Sequence, residues 1–246
     1  MSKPEVTIIT PTTGSRSLYR LVTSLKQQNV PYRHIILWDD KREDDFLFPD
    51  PKTMAVKNPF DLEDENTNCV VVKGSFVKGK AFGSSLRAVG LMMADTTYVT
   101  FADTDVWYDP CHLEKLMQAV QGKYCAHSIR KVWSPNLRLI GEDRFESIGA
   151  DCKLGYNLLD NNTIIFHRRL GTSAACLYRE TEDYNDDRLM YGFLAKHGGE
   201  IGKTNEATVN QICPTRLAGF FAQNCTRVPN TGKKATDIYK DFENLV

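Results

Sequence analysis

The sequence lacks a net charge, a long hydrophobic run and any internal repeat, and each absence excludes a class of protein. Lys plus Arg and Asp plus Glu both number 31 in 246 residues, so the formal net charge is zero. A balanced charge gives no whole-protein field that attracts a nucleic-acid duplex, so any anion site must be local. No apolar run approaches the length of a membrane helix, and the first residues enter a strand at once. We therefore expect a cytoplasmic protein with neither a signal peptide nor a transmembrane anchor.

The cysteines also lack a pattern. All seven stand singly, with no C-x-x-C pair and an odd total. They are typical of reduced, partly buried thiols rather than of zinc ligands or a disulfide framework. Apolar residues make up 41% and charged residues 25% of the chain, which is an ordinary globular composition. A single domain with a sizeable core is therefore the expectation.

Strands and helices alternate through the first half of the sequence. Leu18, Leu21, Val22 and Leu25 recur at the spacing that gives a helix one apolar face. Short β-branched runs precede and follow that helix, which predicts a largely parallel sheet of the α/β class. The pattern predicts strands at residues 6–10, 34–38, 69–72 and 98–102, and helices at residues 18–25, at 84–94 and after Asp109 and Pro110.

The second half is less regular. We expect strands near residues 124–129, 163–166 and 172–178 and a helix near 186–197. A last helix would place Ile238, Phe242 and Leu245 on one side, where they could dock on the core, on a partner or on a membrane surface. Core docking is the preferred reading.

Three predicted loops carry polar residues at the carboxyl ends of strands, where open sheets of this kind bind ligands. They contain residues 11–16, the pair Asp39 and Asp40, and residues 103–105. Asp103 and Asp105 leave the core together, and two carboxylates so placed suit a hard divalent cation. The alternative is a pair of hydrated loop acids.

Four segments give the chain a resemblance to a known family. They are VTIITPTTGSRS, HIILWDD, RAVGLMMADTTYVTFADTDVWYDP and DDRLMYGFLAKHG, in the family's order and at about its spacing. Over about residues 5 to 200 the chain resembles a GT-A fold glycosyltransferase of the family-2 type. The resemblance implies one Rossmann-like domain over residues 1–246, with a smaller acceptor-side sheet. A nucleotide-sugar half (1–121), an acceptor half (122–225) and a C-terminal tail (226–246) would make it up.

The resemblance also implies how the donor binds. Pro11, Thr12 and Thr13 would hold the nucleoside, Arg16 would contact the diphosphate, and the pair Asp39 and Asp40 would read the base. Asp40 is the preferred base reader, and a carboxylate that accepts from a base N–H suits uracil or guanine better than adenine. A UDP-sugar is therefore the favoured donor.

The metal and the diphosphate would share the next loop. Asp105 is the expected direct ligand of Mn²⁺ or Mg²⁺, Asp103 the water-mediated or ribose contact, and Thr104 adjoins the donor. Lys78 or Lys80, with Arg87, would offset the diphosphate charge. Residues 74–81 nearly form a P-loop, but Ala81 stands where that motif needs a hydroxyl.

On the acceptor side, the resemblance implies that Asp187 is the catalytic base and that Asp186 precedes it at a helix start. Acids at a helix start also favour the helix dipole without catalysis, and Asp183 is a rival base. Residues 171–175 resemble an acceptor-side strand, and His167 is a possible metal ligand.

The implied activity is inverting transfer of a sugar to a hydroxyl of a glycan or lipid-linked glycan, with possible peripheral membrane contact. Two other functions stay open. A sugar-phosphate nucleotidyltransferase would share the sheet and the acids. Such an enzyme needs a Gly-rich signature with a basic end after the first strand, whereas this sequence has Pro11, Thr12 and Thr13 there. A non-catalytic nucleotide-sugar-binding module would keep Asp40 and Asp105 and tolerate the loss of Asp187.

Overall fold

A computed structural model describes residues 4–15, 17–39, 69–74, 83–155, 157–178 and 186–226. They form an α/β protein with nine strands in one sheet. The strands are β1 (Val6–Thr12), β2 (Tyr32–Asp39), β3 (Cys69–Gly74), β4 (Tyr98–Phe101), β5 (Val106–Tyr108), β6 (Cys125–Trp133), β7 (Leu139–Glu142), β8 (Ile164–His167) and β9 (Ile201–Ile212). The helices are α1 (Ser17–Lys26), α2 (Ser84–Met93), α3 (His112–Ala119), α4 (Gly171–Ala175), α5 (Asp186–His197) and α6 (Thr215–Asn224).

The sheet has a parallel half and a mixed half. Strands β3, β2, β1 and β4 lie side by side and parallel, as the alternating pattern predicts. Strand β8 joins β4 in antiparallel orientation and leads to β6, which pairs in parallel with β9, while β7 lies antiparallel to β6. Strand β5 lies at the end of the strand order and pairs in antiparallel orientation with β9.

Helices cover both faces of the parallel half. Strand β1 alternates its side chains, so Ile8 belongs to the core under α1 and α3 while Ile9 belongs to the core under α2 and α5. The predicted apolar face of α1 is confirmed, because Leu18, Leu21 and Leu25 are fully buried. A buried sheet with helices on both sides is the usual arrangement for parallel strands.

Helix α2 lies unusually close to β1. A Cβ atom on Gly90 would come within 2.4 Å of the Ile9 Cγ2 atom, and one on Gly83 within 2.7 Å of the Pro11 Cβ atom. Both positions therefore require glycine. The second contact fixes the start of α2 against the end of β1, which continues to Thr12 rather than ending before Pro11. Pro11 is tolerated there because β4 pairs with β1 only as far as Ile9, so the missing N–H has no partner on that side.

Two features of the second half differ from the prediction. The strand expected near 172–178, with its acceptor-side segment at 171–175, is wrong: Gly171–Ala175 is the short helix α4. Small residues without alternation carry no strand signal, and alanine favours helix. Gly171 lies against α2, where its added Cβ would be 3.8 Å from the Leu91 Cδ2 atom. The strands β5, β7 and β9 and the helix α6 were not predicted.

In the part of the chain that the structure describes, no helix is both long and apolar enough to span a membrane. The predicted last helix, with Ile238, Phe242 and Leu245, lies outside the described residues.

Candidate active site

The candidate site lies at the carboxyl edge of the parallel strands, as the three predicted loops require. Asp103 and Asp105 follow β4, and the first turns of α2 and α5 approach them from the helix layer. A 3-10 turn at Asn161–Thr163, which precedes β8, completes the surround. Segments distant in sequence therefore bring acids and one arginine to the same place.

Asp103 has both carboxylate oxygens engaged. Arg87 Nη2 donates to Asp103 Oδ1, and Asn162 Nδ2 donates to Asp103 Oδ2 at 3.1 Å. The Asp103 backbone N–H donates in turn to Asn162 Oδ1 at 2.6 Å. The Arg87 side chain is only 6% exposed, so its charge is offset chiefly by this carboxylate. Asp103 is thus oriented before any ligand binds.

Asp186 connects the starts of α2 and α5. Its Oδ2 accepts from the Ser84 hydroxyl and lies 3.8 Å from Arg87 Nη1. Ser84 and Arg87 are in the first turn of α2, so one carboxylate joins two helix starts. Asp186 therefore acts as a link within the protein frame.

Asp105 is a half-buried acid that lies beside other acids. Burial, and then the negative charges of Asp103 and Asp160, raise its pKa to about 7, although a hydrogen bond from Gln211 opposes the shift. A pKa this high means that the surrounding positive charge does not offset the burial of Asp105 and the negative charges of its neighbours. A divalent cation would supply that charge, and Asp105 fits a direct ligand.

Asp103 fits the same cation less directly, since its oxygens are held by Arg87 and Asn162. A contact through water suits it better. Within the described ranges no three His, Cys, Asp or Glu side chains form a ready-made metal site. A cation held by Asp105 and Asp103 would need further oxygens from a bound ligand such as a diphosphate.

Asp187 lies in the first turn of α5. Its Oδ1 accepts from the Asn161 backbone N–H at 3.1 Å. Burial and the charges of Asp160 and Asp103 raise its pKa to about 8, against the opposing effect of Arg87. A carboxyl with a pKa this high is a stronger base once ionised than an ordinary aspartate.

Asp160 and Arg130 also belong to this site, and neither was predicted as a site residue. Asp160 accepts from Arg130 Nη1 at 2.6 Å, and its other oxygen accepts from the Asn162 backbone and side-chain amides at 2.9 and 2.8 Å. Arg130 lies in the middle of β6, far from any motif. The Asp160-Asn161-Asn162 run is a helix-cap pattern and was the single local signal available.

The predicted nucleoside residues end the neighbouring strands. Pro11 and Thr12 are buried at the end of β1, Thr13 is exposed beyond them, and Thr104 is half-buried after β4. Asp39 ends β2 with 2% of its surface exposed. The predicted residues Arg16, Asp40, Lys78, Lys80 and Asp183 lie outside the described residues.

His167 is not brought to this site. It pairs with Tyr98 at the start of β4, whereas Asp103 follows the end of that strand. Its ring packs edge-on to Tyr98 and Tyr124, and its Nδ1 accepts from the Arg169 backbone at 3.1 Å. The β8 register thus places His167 at the opposite sheet edge, which favours the interpretation of a lone histidine near two arginines as structural over that of a metal ligand.

The sheet topology and the acids beyond β4 define an α/β protein with the GT-A fold, and solved structures agree. The crystal structure of S. aureus TarS 1-349 in complex with UDP-GlcNAc matches with a TM-score of 0.59 and 17% identity, over 85% of this chain and 58% of that chain. The complex of TarS 1-349 with UDP matches with a TM-score of 0.58 and 15% identity, over 91% of this chain and 67% of that one.

The present chain thus spans about 58% of the first of these structures, and 40% of the chain in the crystal structure of S. aureus TarS. At such identities the likeness establishes the fold alone. No protein-family model and no curated protein sequence matches the chain.

Proposed function

We propose that this protein is an inverting glycosyltransferase that moves a sugar from a nucleoside diphosphate donor to a hydroxyl of a glycan or lipid-linked glycan. The observation that carries the proposal is the placement of Asp187. This half-buried carboxyl, with its pKa raised to about 8, stands at the same sheet edge as the acids that suit a cation and a diphosphate.

Asp187 would be the general base. Once ionised, its carboxylate takes the proton of the acceptor hydroxyl as the hydroxyl oxygen attacks the anomeric carbon, and the nucleoside diphosphate leaves from the opposite face. The Asn161 N–H fixes one carboxylate oxygen of Asp187, which leaves the second to accept the proton. In the described part of the chain we assign one base and no separate nucleophile, which favours a single displacement with inversion.

Asp105 would hold a divalent cation, Mn²⁺ or Mg²⁺, and Asp103 would contact it through water. When bound, such a cation offsets the charge that develops on the leaving diphosphate. Arg87 orients Asp103, and its positive charge also lies close to that diphosphate site.

A UDP-sugar is the favoured donor. The TarS structures that share the fold contain UDP-GlcNAc and UDP, and Asp40 follows the β2 strand end where a carboxylate could accept from a uracil N–H. Pro11, Thr12 and Thr13 would border the nucleoside.

The test is incubation of the protein with UDP- and GDP-sugars, Mn²⁺ and a panel of glycan acceptors. We expect release of the nucleoside diphosphate and a product whose anomeric configuration, read by NMR, is opposite to that of the donor. Pyrophosphate release from a nucleoside triphosphate and a sugar phosphate would instead identify a nucleotidyltransferase. Binding of UDP without turnover of any donor would identify a binding module.

A further inference from the structure

One buried guanidinium, that of Arg130, is hydrogen-bonded to residues that lead to three carboxyls of the candidate site, those of Asp103, Asp105 and Asp187. Arg130 lies on β6 and is almost wholly covered. It is too deep to meet a substrate directly, because protein groups occupy its donors on several sides. Its effect on the site must therefore pass through its partners.

The first route from Arg130 runs through Asp160. Arg130 Nη1 donates to Asp160 Oδ2 at 2.6 Å, and Asp160 Oδ1 caps the following 3-10 turn. That turn presents the Asn161 N–H to Asp187 and the Asn162 side chain to Asp103. The turn can present these two groups to Asp187 and Asp103 only while Asp160 caps it.

The second route runs through Gln211 on β9. The same Arg130 Nη1 donates to Gln211 Oε1 at 3.0 Å. Because the oxygen of the Gln211 amide is taken, its NH₂ group is turned to donate, and the interaction of Gln211 with the Asp105 carboxyl opposes the rise in the pKa of that carboxyl. The hydrogen bond from Arg130 therefore determines which end of the Gln211 amide faces Asp105.

Arg130 is itself fixed from behind. Its Nε donates to Asp143 at 2.7 Å and its Nη2 to Glu146 at 2.7 Å, and its guanidinium carbon lies 5.5 Å from the ring centroid of Phe221. Asp143 accepts in addition from the backbone N–H groups of the segment that follows it. A planar fork with five donors can satisfy this arrangement, whereas a lysine ammonium cannot.

We propose that Arg130 is the positioning residue of this site, aligning the Asp105 and Asp187 carboxyls through Gln211 and through the Asp160 turn. The inference rests on the proposed function for its catalytic meaning. Its geometric part is independent of that function, because removal of the Arg130 guanidinium should displace both carboxyls while the fold persists.

The test uses Arg130→Lys, which keeps the positive charge beside Asp143, Asp160 and Glu146 and so spares the fold the cost of unpaired buried acids. In its crystal structure we expect the Asp105 and Asp187 carboxylates to move by about 1 Å, and kcat to fall by about 100-fold, because misplacement of this size has that cost. The KM for the donor should change much less than kcat.

Arg144→Met is the matched control. Arg144 is also paired with an acid, Glu142, but it leads to none of the three carboxyls. We expect it to keep kcat within about twofold of the parent. Should Arg130→Lys retain the parent kcat per folded molecule, or leave both carboxylates in place, the positioning role is overturned.

Gln211→Leu tests one route without any change of charge. We expect it to weaken Mn²⁺-dependent binding of UDP by about tenfold, measured by calorimetry, because Asp105 loses its Gln211 neighbour while Arg130 keeps its bonds to Asp143, Asp160 and Glu146. Unaltered binding would remove the second route. If the parent protein neither binds UDP nor turns over a donor, the proposed function fails, whereas the crystal structure of Arg130→Lys still decides the geometry.

Discussion

Asp105 and Asp187 stand out among the residues of this protein because folding raises the pKa of both. Asp187 has a pKa of 3.8 in its ordinary state and about 8 in the fold, chiefly through burial. Between these values the folded state binds more protons than the unfolded state, so the free energy of unfolding falls as pH rises. The site is therefore a source of instability at neutral pH that binding of a cation would relieve.

The variant Asp187→Asn tests this fall in the free energy of unfolding with rising pH. The amide keeps an oxygen for the Asn161 N–H but carries no charge, so we expect the variant to be more stable than the parent at about pH 8.5 by more than about 1 kcal/mol. At about pH 4 the two proteins should differ little, since the parent carboxyl is then neutral in the fold. Urea unfolding at both pH values measures the difference, and a stabilisation independent of pH would argue against a buried acid.

The same variant tests the base. Loss of a general base costs about 10² to 10⁴ in rate, so we expect kcat of Asp187→Asn to fall within that range while UDP binding measured by calorimetry changes little. Asp151→Asn is the control, because Asp151 is an exposed acid that is paired with Lys203. A parental kcat in Asp187→Asn would leave Asp183 as the candidate base.

Asp105 carries the metal prediction. We expect UDP with Mn²⁺ to raise the melting temperature of the parent, because a ligand that binds only the folded state stabilises it. Asp105→Asn and a chelator should each remove the Mn²⁺-dependent part of that shift and abolish turnover. Full activity in a chelator would exclude the cation from the mechanism.

Among the elements, α2 is the one whose position the site depends on most. It carries Ser84 and Arg87, and it reaches the edge of β1 because Gly90 lets its backbone approach Ile9. Helix α5 has no such contact at Gly192, where an added Cβ would meet nothing within 4 Å. Two helical glycines thus have opposite roles.

Alanine substitution should separate them. We expect Gly90→Ala to lower the free energy of unfolding by about 1 to 3 kcal/mol, because the new methyl group would overlap Ile9 and push α2 outward. Gly192→Ala should raise it by about 0.5 to 1 kcal/mol, because alanine loses less backbone entropy in a helix. Chemical denaturation of both variants measures the pair, and equal signs would contradict the packing argument.

The elements that were predictable carry their signal locally. Helix α1 follows from its apolar spacing and α5 from its acidic start, and the parallel strands follow from β-branched runs between helices. Helix α4 was mistaken for a strand because its small residues show neither period. Strand β9 begins with a polar, half-exposed stretch, and its burial depends on β6, which no local pattern reveals.

At the scale of the whole molecule, the site residues also divide into those that could be predicted from the sequence and those that could not. Asp103, Asp105 and Asp187 were identifiable because each ends a strand or begins a helix that the sequence marks. Arg130 and Asp160 were not, because their role arises when β6 and the turn before β8 come together, and their ion pair joins residues 30 apart in sequence. A polar residue in the interior of a strand looks like any other until its partners are known.

The antiparallel pairing of β8 with β4 also has a consequence for the order of folding. Thr100 Oγ1 donates to the Ile164 carbonyl across 64 residues of chain. All four parallel strands lie before residue 102, so they are synthesised well before β8. We expect a nascent chain to assemble its parallel strands while the later residues are still being synthesised, and Asp187 to reach Asp105 only after β8 has docked.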